Sequence, residues 1–218
     1  MDQTMQCSKC KDEAVIYQPY SGQYLCPAHL TRDIGTKVKR LIRQQHWMQS
    51  GDHIAVALTG TAADNALLLF LRDLTGKRRD IRVSGIPVTG AIADITSAPY
   101  EAGITRIALS TTLETTSASL LADLMRGDME RCTSTGPIPA GPEIIAPFCH
   151  IPADEIAAYA RICGVEGNFS VSPRHDDPLY TDVQSLLTAY SQRHPAAPHA
   201  ILNLCAALRQ TVRHDPGT

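Results

Sequence analysis

Residues 53–64 run His53-Ile-Ala-Val-Ala-Leu-Thr-Gly-Thr-Ala-Ala-Asp64, a short apolar stretch followed by a loop of small residues. The apolar stretch, His53 to Leu58, predicts a buried strand, because runs of this kind are typical of parallel sheets covered on both faces. A helix is predicted to follow, over 64–74. This order of strand, small-residue loop and helix is typical of α/β folds, where ligands bind at the carboxyl ends of strands.

The same alternation continues to the end of the chain. Further strands are predicted over 80–86, 104–109 and 143–147, and helices over 91–102, 113–125, 152–163, 179–193 and 198–213. Residues 127–141 predict a loop, because they are rich in Gly, Pro, Ser and Thr. We therefore predict a Rossmann-like, mostly parallel sheet with C-terminal helices, preceded by a small N-terminal module. The predicted boundaries are 1–30 for the module, 31–50 for a linker helix, 51–165 for the α/β domain and 166–218 for the C-terminal helical segment.

Composition limits the possible classes of protein. The chain has 218 residues, a net charge of −2 and 44% hydrophobic residues, enough for a buried core. It contains no apolar run near the roughly 20 residues that span a bilayer, and its polar start does not match a signal peptide. A soluble, cytoplasmic protein without a membrane partner is expected. The odd number of cysteines, seven, favours reduced thiols or metal ligation over a disulfide framework.

The N-terminal cysteines have the spacing of a metal site. Cys7 and Cys10 are separated by two residues, and so are Cys26 and His29. Two such knuckles place three sulfurs and one nitrogen around a tetrahedral ion, for which zinc is the best match. Because four protein ligands leave no open position, the predicted zinc is structural. Its loss is predicted to unfold residues 1–30 without melting the α/β body.

A basic helix is predicted over 31–48. Its apolar residues share one face: Ile34, Val38, Leu41 and Ile42. Its cations point largely elsewhere: Arg32, Lys37, Lys39, Arg40 and Arg43. Such a helix beside a zinc knuckle is a candidate for binding nucleic-acid phosphates, and an ordinary solvated face explains the pattern equally well.

These features together resemble the TtuA-like tRNA 2-thiouridine synthetases, PP-loop ATP pyrophosphatases of the adenine nucleotide alpha hydrolase type. The resemblance implies an enzyme that adenylates a tRNA uridine, at a wobble or ribothymidine-type position, and replaces its oxygen with sulfur. The stretches that carry it are Cys7 to Ile16, Pro19 to Gly22, Leu25 to His29, Lys37-Val38, Gly51 to Ala57, Leu124 to Asp128 and Ile151 to Ala160.

The loop after the first strand departs from that family. The family's PP-loop, Ser-Gly-Gly-Lys-Asp-Ser, aligns with residues 59–64, which read Thr-Gly-Thr-Ala-Ala-Asp. Thr59, Gly60 and Thr61 remain as a remnant of a nucleotide-binding loop, whereas the family's lysine is replaced by Ala62. The last position is Asp64, a good helix cap that occupies the place a pyrophosphate would need. Losing a cation and gaining an anion opposes binding of ATP, and with it of the Mg²⁺ that ATP would carry.

Two other family features differ. The second nucleotide motif, Gly-His-Asn-Leu-Asp-Asp, aligns with residues 110–115, where Glu114 is the one weak catalytic candidate. The family's inserted Cys-x-x-Cys pair and its C-terminal zinc module have no counterpart, which makes the chain short against that family. The remaining cysteines are predicted to be buried, inert thiols, and no iron–sulfur cluster is expected: Cys132, Cys149, Cys163 and Cys205.

Three functions follow from these observations. The first is a catalytically degenerate subunit of tRNA 2-thiolation that binds tRNA, a catalytically complete paralogue or a sulfur-carrier protein. The second is an active ATP-dependent tRNA sulfurtransferase with a rearranged site. The third is a nucleotide-binding or protein-interaction module unrelated to tRNA. We favour the first.

Overall fold

The computed structural model describes residues 5–88, 103–128, 141–168 and 177–214, with side chains in the last range described as far as 208. The chain forms two compact units, one of residues 1–112 and 137–171 and the other of residues 113–136 and 172–218. Its elements in chain order are β1 (Ile16–Gln18), β2 (Gln23–Leu25), α1 (Pro27–Gln44), β3 (His53–Leu58), α2 (Ala62–Thr75), β4 (Arg82–Pro87), β5 (Arg106–Ala108), α3 (Leu113–Met125), β6 (Glu143–Ile145), α4 (Ala153–Ile162), α5 (Pro178–Ser191) and α6 (Ala197–His214).

The first unit contains two sheets. β1 and β2 form an antiparallel hairpin, and four strands form a sheet in the order β4-β3-β5-β6. All neighbouring strands of the larger sheet run parallel. Because β3 is central, its carboxyl end meets those of β4 and β5 at one edge, where α2 begins. The predicted α/β fold class, with a parallel sheet, an N-terminal Cys/His cluster and C-terminal helices, is confirmed.

One apolar cluster joins the hairpin, α1 and the sheet. Leu25 of β2 and Ile34 of α1 lie in the same buried core as Ile54 of β3 and Phe148, which follows β6. Phe70 of α2 packs edge-on against Phe148, with ring centroids 5.9 Å apart. The N-terminal module therefore shares a core with the body, so its unfolding is expected to weaken the body, contrary to the prediction from sequence.

Paired charges fasten the amino edge of the parallel sheet. Arg106, buried at the start of β5, donates to Asp52 at 2.8 Å and also binds Glu143 of β6. The hydroxyl of Thr105 donates to the other oxygen of Asp52 at 2.9 Å. Burial opposes ionisation of Asp52, but donation from the Gln49 N–H, Arg106 and Thr105 lowers the pKa of its carboxyl. These contacts tie three strands together at the edge opposite the loop of residues 59–64.

In the residues that the structure describes, the second unit consists of three helices. α3 packs against both α5 and α6, through small residues such as Ala118 and Ala122 against Tyr180 and Val183. The predicted boundary at 165 places α3 in the α/β domain, whereas the structure groups it with the C-terminal helices.

Element positions follow the sequence closely. β3 and α3 have the predicted bounds, while α1 begins four residues earlier than predicted because Pro27 suits a first helical position. The helix predicted over 91–102 lies outside the described residues, as does most of the loop predicted over 127–141. None of the described helices combines the length and the apolar character required to cross a bilayer.

Candidate functional site

The four predicted metal ligands converge in the first unit. The ligand atoms of Cys7, Cys10, Cys26 and His29 all lie within 4.8 Å of one another. His29 Nδ1 is 3.6 Å from the sulfur of Cys7 and 3.2 Å from that of Cys26, and the sulfurs of Cys10 and Cys26 are 3.6 Å apart. A tetrahedral zinc shell has edges of about 3.8 Å between two sulfurs and about 3.5 Å between sulfur and nitrogen. The cluster therefore fits a single tetrahedral ion.

Local structure aims these ligands. Cys26 is the N-cap of α1 and His29 lies in its first turn, so both side chains leave the same helix end. The backbone N–H of Lys9 points at the sulfur of Cys7 at 3.4 Å, as expected for a knuckle that supports a thiolate.

The thiol pKa values indicate an arrangement that favours a cation. Burial raises the pKa of the Cys7 thiol, but donation from the N–H groups of Lys9 and Cys26 outweighs burial and lowers this pKa to about 6. For the Cys10 thiol, donation from the N–H of Asp12 lowers the pKa, but burial and the adjacent Cys26 thiol outweigh it and raise the pKa to about 12. Neighbouring thiolates repel each other, and a bound cation removes that penalty.

The loop between β3 and α2 closes around Asp64. One carboxylate oxygen accepts from the N–H of Thr59 at 2.8 Å, its hydroxyl at 2.9 Å and the N–H of Thr61 at 3.1 Å. The other oxygen accepts from the hydroxyl of Ser110 at 2.6 Å. Asp64 is only 2% exposed. An anionic side chain of the protein therefore fills the loop's array of donors, at the positive end of α2.

The rest of the loop is also satisfied internally. The hydroxyl of Thr61 accepts from the Asp64 N–H at 3.3 Å, completing a capping box. The N–H of Ala62 donates to the carbonyl of Asn168 at 2.8 Å. Gly60 turns the chain with φ of +93°, which favours glycine. Four N–H groups of the loop, those of residues 59, 61, 62 and 64, are thus used within the protein.

The second predicted motif is divided between the units. Ser110, which follows β5, reaches Asp64 and belongs to the first unit. Its role was missed from sequence, although its place after a strand next to β3 was an available signal. Glu114 is half-buried in the first turn of α3, in the second unit. A catalytic role of Glu114 stays a prediction.

Four of the five predicted RNA-binding cations lie exposed along α1: Arg32, Lys39, Arg40 and Arg43. Their spacing of i, i+7, i+8 and i+11 places them on one helix face, opposite the buried face of Leu30, Ile34 and Val38. Within the described ranges, none of the four forms a salt bridge. We call these four residues the basic stripe.

The fifth cation, Lys37, is half-buried and engaged by other side chains of the protein. Its ammonium lies 2.7 Å from Asp33, donates to the hydroxyl of Tyr20 at 2.6 Å and lies 3.5 Å from Glu155 of α4. Tyr20 in turn donates to Glu155 at 2.5 Å. Burial raises the pKa of Glu155, against the opposing effects of Lys37 and Tyr20. This cluster joins the hairpin to α4, and it pairs Lys37 with carboxylates of the protein.

The N-terminal module has a match among known families. Residues 6–31 match the model of a family described as the N-terminal LIM domain of the 2-thiouridine synthetase TtuA. The predicted resemblance to the TtuA-like family is confirmed. The match includes all four ligands of the Cys/His cluster, and a metal-binding role of this cluster agrees with the LIM description.

A solved structure matches almost the whole chain. It is the U34-tRNA thiolase NcsA from Methanococcus maripaludis with its 4Fe-4S cluster, at a TM-score of 0.76 and 14% identity. The alignment covers 95% of this chain and 89% of NcsA. The two proteins share a fold, and the chain is not short against this neighbour. A comparison with curated proteins found no match.

The prediction against an iron–sulfur cluster is wrong, because a protein of this fold carries one. That prediction rested on the absence of a second Cys-x-x-Cys pair, and sequence spacing does not restrict cysteines that a fold brings together from distant positions. Among the residues that the structure describes, the Cys/His cluster of the module is the one place where three or more His, Cys, Asp or Glu side chains could share a metal ion. Cys149 and Cys205 are buried and Cys163 is exposed, not uniformly buried as predicted, and Cys132 lies outside the described residues.

Proposed function

We propose that this protein acts in tRNA thiolation as a subunit that binds tRNA or a catalytic partner, with its own nucleotide loop closed. Two observations support the process: the TtuA-type module and the fold shared with a U34-tRNA thiolase. A shared fold alone does not assign a function, so the loop and the module carry the proposal.

The position of Asp64 is the observation that supports a nucleotide loop closed to phosphate. Its carboxylate accepts four hydrogen bonds from Thr59, Thr61 and Ser110, the same kind of donors that would bind a phosphate. A nucleotide phosphate entering this loop would have to displace the carboxylate and would meet its negative charge. The loop also lacks a lysine to neutralise phosphate, since position 62 is alanine.

The other parts of the chain have proposed roles in binding. Cys7, Cys10, Cys26 and His29 hold a structural metal, and three sulfurs with one nitrogen favour zinc. The basic stripe of α1 follows this module directly and offers phosphate contacts to tRNA. A catalytically complete paralogue or a sulfur-carrier protein would supply the chemistry that the closed loop lacks.

Two measurements test the proposal. Electrophoretic binding assays at low salt with a tRNA transcript are expected to show a complex whose affinity falls steeply as salt is raised. Calorimetry with ATP and Mg²⁺ is expected to show no binding, and no pyrophosphate should form when ATP and tRNA are both present. Release of pyrophosphate at a steady rate by the purified chain would overturn the closed loop.

The second candidate is an active ATP-dependent tRNA sulfurtransferase. The extent of the likeness to a thiolase, 89% of NcsA, favours it. The pyrophosphate assay separates the two functions, since only the active enzyme consumes ATP.

A further inference from the structure

The outer face of the β1–β2 hairpin carries two paired tyrosines. Tyr17 and Tyr24 are direct cross-strand partners, and their ring centroids lie 4.6 Å apart with planes inclined by 35°. The inner face of the hairpin is buried, with Gln18 and Leu25 turned toward the core. Tyr17 on the outer face is 47% exposed. An aromatic pair is thus held in a defined geometry at the surface.

The backbone explains why the rings lie so close. The backbone N–H of Tyr24 donates to the hydroxyl of Ser8 at 2.9 Å, and the carbonyl of Tyr24 accepts from the N–H of Ser8 at 2.8 Å. Tyr17 and Tyr24 therefore form a non-hydrogen-bonded pair, the kind in which cross-strand side chains approach most closely. Ser8 also covers this edge of β2, so a partner peptide cannot extend the hairpin there by strand addition. The available feature is the ring surface itself.

The surrounding charge indicates what kind of ligand the rings would receive. In the described part of the module, the cations Lys9 and Lys11 are balanced by Asp12 and Glu13, so the basic excess comes from α1. α1 begins two residues after β2 ends, and Arg32 lies about 8 Å along its axis from its first residue. β2 and α1 are consecutive elements of the first unit, so the rings and the row of cations belong to one compact body. Aromatic rings combined with a row of cations bind single-stranded nucleic acid, because bases stack on the rings while phosphates meet the cations.

We infer that Tyr17 and Tyr24 form a stacking platform for an unpaired base of an RNA whose phosphates contact the basic stripe. This inference rests on the proposed tRNA-binding function and adds to it a preference for unpaired nucleotides. Stacking accepts any base, so the platform selects the unpaired state of the RNA rather than its sequence.

Binding titrations with a tRNA transcript and with a short oligouridine test the platform. Tyr17→Thr keeps a residue suited to a strand and removes the ring, and is expected to weaken binding of both RNAs about five- to a hundredfold. Tyr17→Phe keeps the ring and should bind within about twofold of the parent chain. The dependence of affinity on salt should not change in either variant, because no phosphate contact is lost.

Tyr190→Thr is the matched control. Tyr190 is 46% exposed and stacks on His194 with ring centroids 4.3 Å apart, but it lies on α5 in the second unit. Its loss should leave the affinity for RNA unchanged. If Tyr17→Thr weakens binding no more than Tyr190→Thr does, the platform is wrong while the proposed tRNA binding stands. If the parent chain binds neither RNA, the proposed tRNA binding fails and the platform with it.

Photo-crosslinking keeps the inference testable should Tyr17→Thr prove unstable. Oligouridine containing 5-iodouridine is irradiated with the parent chain, and the crosslinked peptides are identified by mass spectrometry. Crosslinks at Tyr17 or Tyr24 are expected, since the modified base reacts with a ring on which it stacks. Crosslinks confined to other residues, or capture of a protein by this face with no RNA bound, would overturn the inference.

Discussion

The Cys/His cluster and the loop around Asp64 solve opposite problems in electrostatics. The cluster gathers four electron-pair donors with no cation of the protein between them, so it is completed only by an external ion. The loop gathers hydrogen-bond donors and completes them with the protein's own carboxylate. Convergence of polar groups therefore does not by itself indicate a ligand site. What matters is whether the protein already supplies the complementary charge.

Removing a ligand from the cluster should have the largest effect. Cys26→Ser is expected to abolish stoichiometric metal binding and unfold the hairpin, because structural zinc supplies about 10–16 kcal/mol of apparent binding free energy in zinc-finger peptides. Since Leu25 and Ile34 share a core with Ile54, the melting temperature of the first unit should also fall. Metal analysis for zinc and iron, together with calorimetric melting, checks both effects.

Cys163→Ser provides the control for that variant, since Cys163 is exposed and lies outside the cluster. Its metal content and melting should match those of the parent chain. Full metal content in Cys26→Ser would show that the cluster is not the metal site.

Removing the carboxylate at position 64 should make the loop resemble the Cys/His cluster, in that its polar groups would then need an external ion. Asp64→Ala leaves the N–H groups of Thr59 and Thr61 and the Ser110 hydroxyl without their acceptor, and is expected to lower the free energy of unfolding by about 3 kcal/mol. Added pyrophosphate should restore part of this loss, because an external anion can now meet the donors. Denaturant unfolding with and without pyrophosphate measures both changes.

Asp73→Asn on the exposed face of α2 serves as the reference for Asp64→Ala. It should change stability little and should not respond to pyrophosphate. A full-strength response of the parent chain to pyrophosphate would mean that Asp64 does not close the loop.

The cluster around Glu155 is an intermediate case, partly completed by the protein. One oxygen of Glu155 accepts from Tyr20, but the other is buried without a hydrogen bond, 3.5 Å from Lys37. Because burial raises its folded pKa, Glu155 contributes stability that is fully present below its unfolded pKa of about 4.3 and is lost as the pH rises through the folded pKa. Glu155→Gln should remove this dependence, so the parent chain should lose stability relative to the variant over that window.

Unfolding free energies measured from pH 4 to pH 8 test the sign of this effect. The exposed neighbour Asp154 gives the control, since Asp154→Asn should leave the pH profile unchanged. Growing stability of the parent chain relative to Glu155→Gln as the pH rises would contradict the raised pKa.

The smallest effect is expected at the basic stripe, whose cations form no salt bridge within the described part of the protein. Arg40→Gln should weaken tRNA binding severalfold at low salt and reduce the slope of log affinity against log salt by about 1, because one phosphate contact is lost. Arg72→Gln, at the exposed end of α2, should change neither quantity. Equal slopes for Arg40→Gln and the parent chain would remove Arg40 from the RNA-binding surface.

Local patterns were sufficient to predict most of the fold. The run from His53 to Leu58 is apolar enough to be assigned as a strand without tertiary information, and the four metal ligands are close in sequence as well as in space. Asp64 was predicted as the N-cap, whereas the N-cap of α2 is Thr61 and Asp64 is its third residue, which completes the capping box.

Long-range contacts could not be predicted in this way. Ser110 reaches Asp64 across 46 residues and Tyr20 reaches Glu155 across 135, and no local pattern encodes such pairs. The same limit explains why Lys37 was grouped with the exposed cations and why the predicted boundary at 165 differs from the grouping of α3 with the C-terminal helices. It also explains the mistaken exclusion of an iron–sulfur cluster, which was argued from spacing alone.

The charged residues at the amino edge of the sheet have a consequence for evolution. Arg106 is buried between Asp52 and Glu143, which come from separate segments of the chain. Loss of one partner from a buried ion pair costs about 3–5 kcal/mol, whereas replacing a whole group with apolar residues is often tolerated. Positions 52, 106 and 143 should therefore change together among relatives of this protein, and such covariation would fix the alignment of β3, β5 and β6 where overall identity is too low to do so.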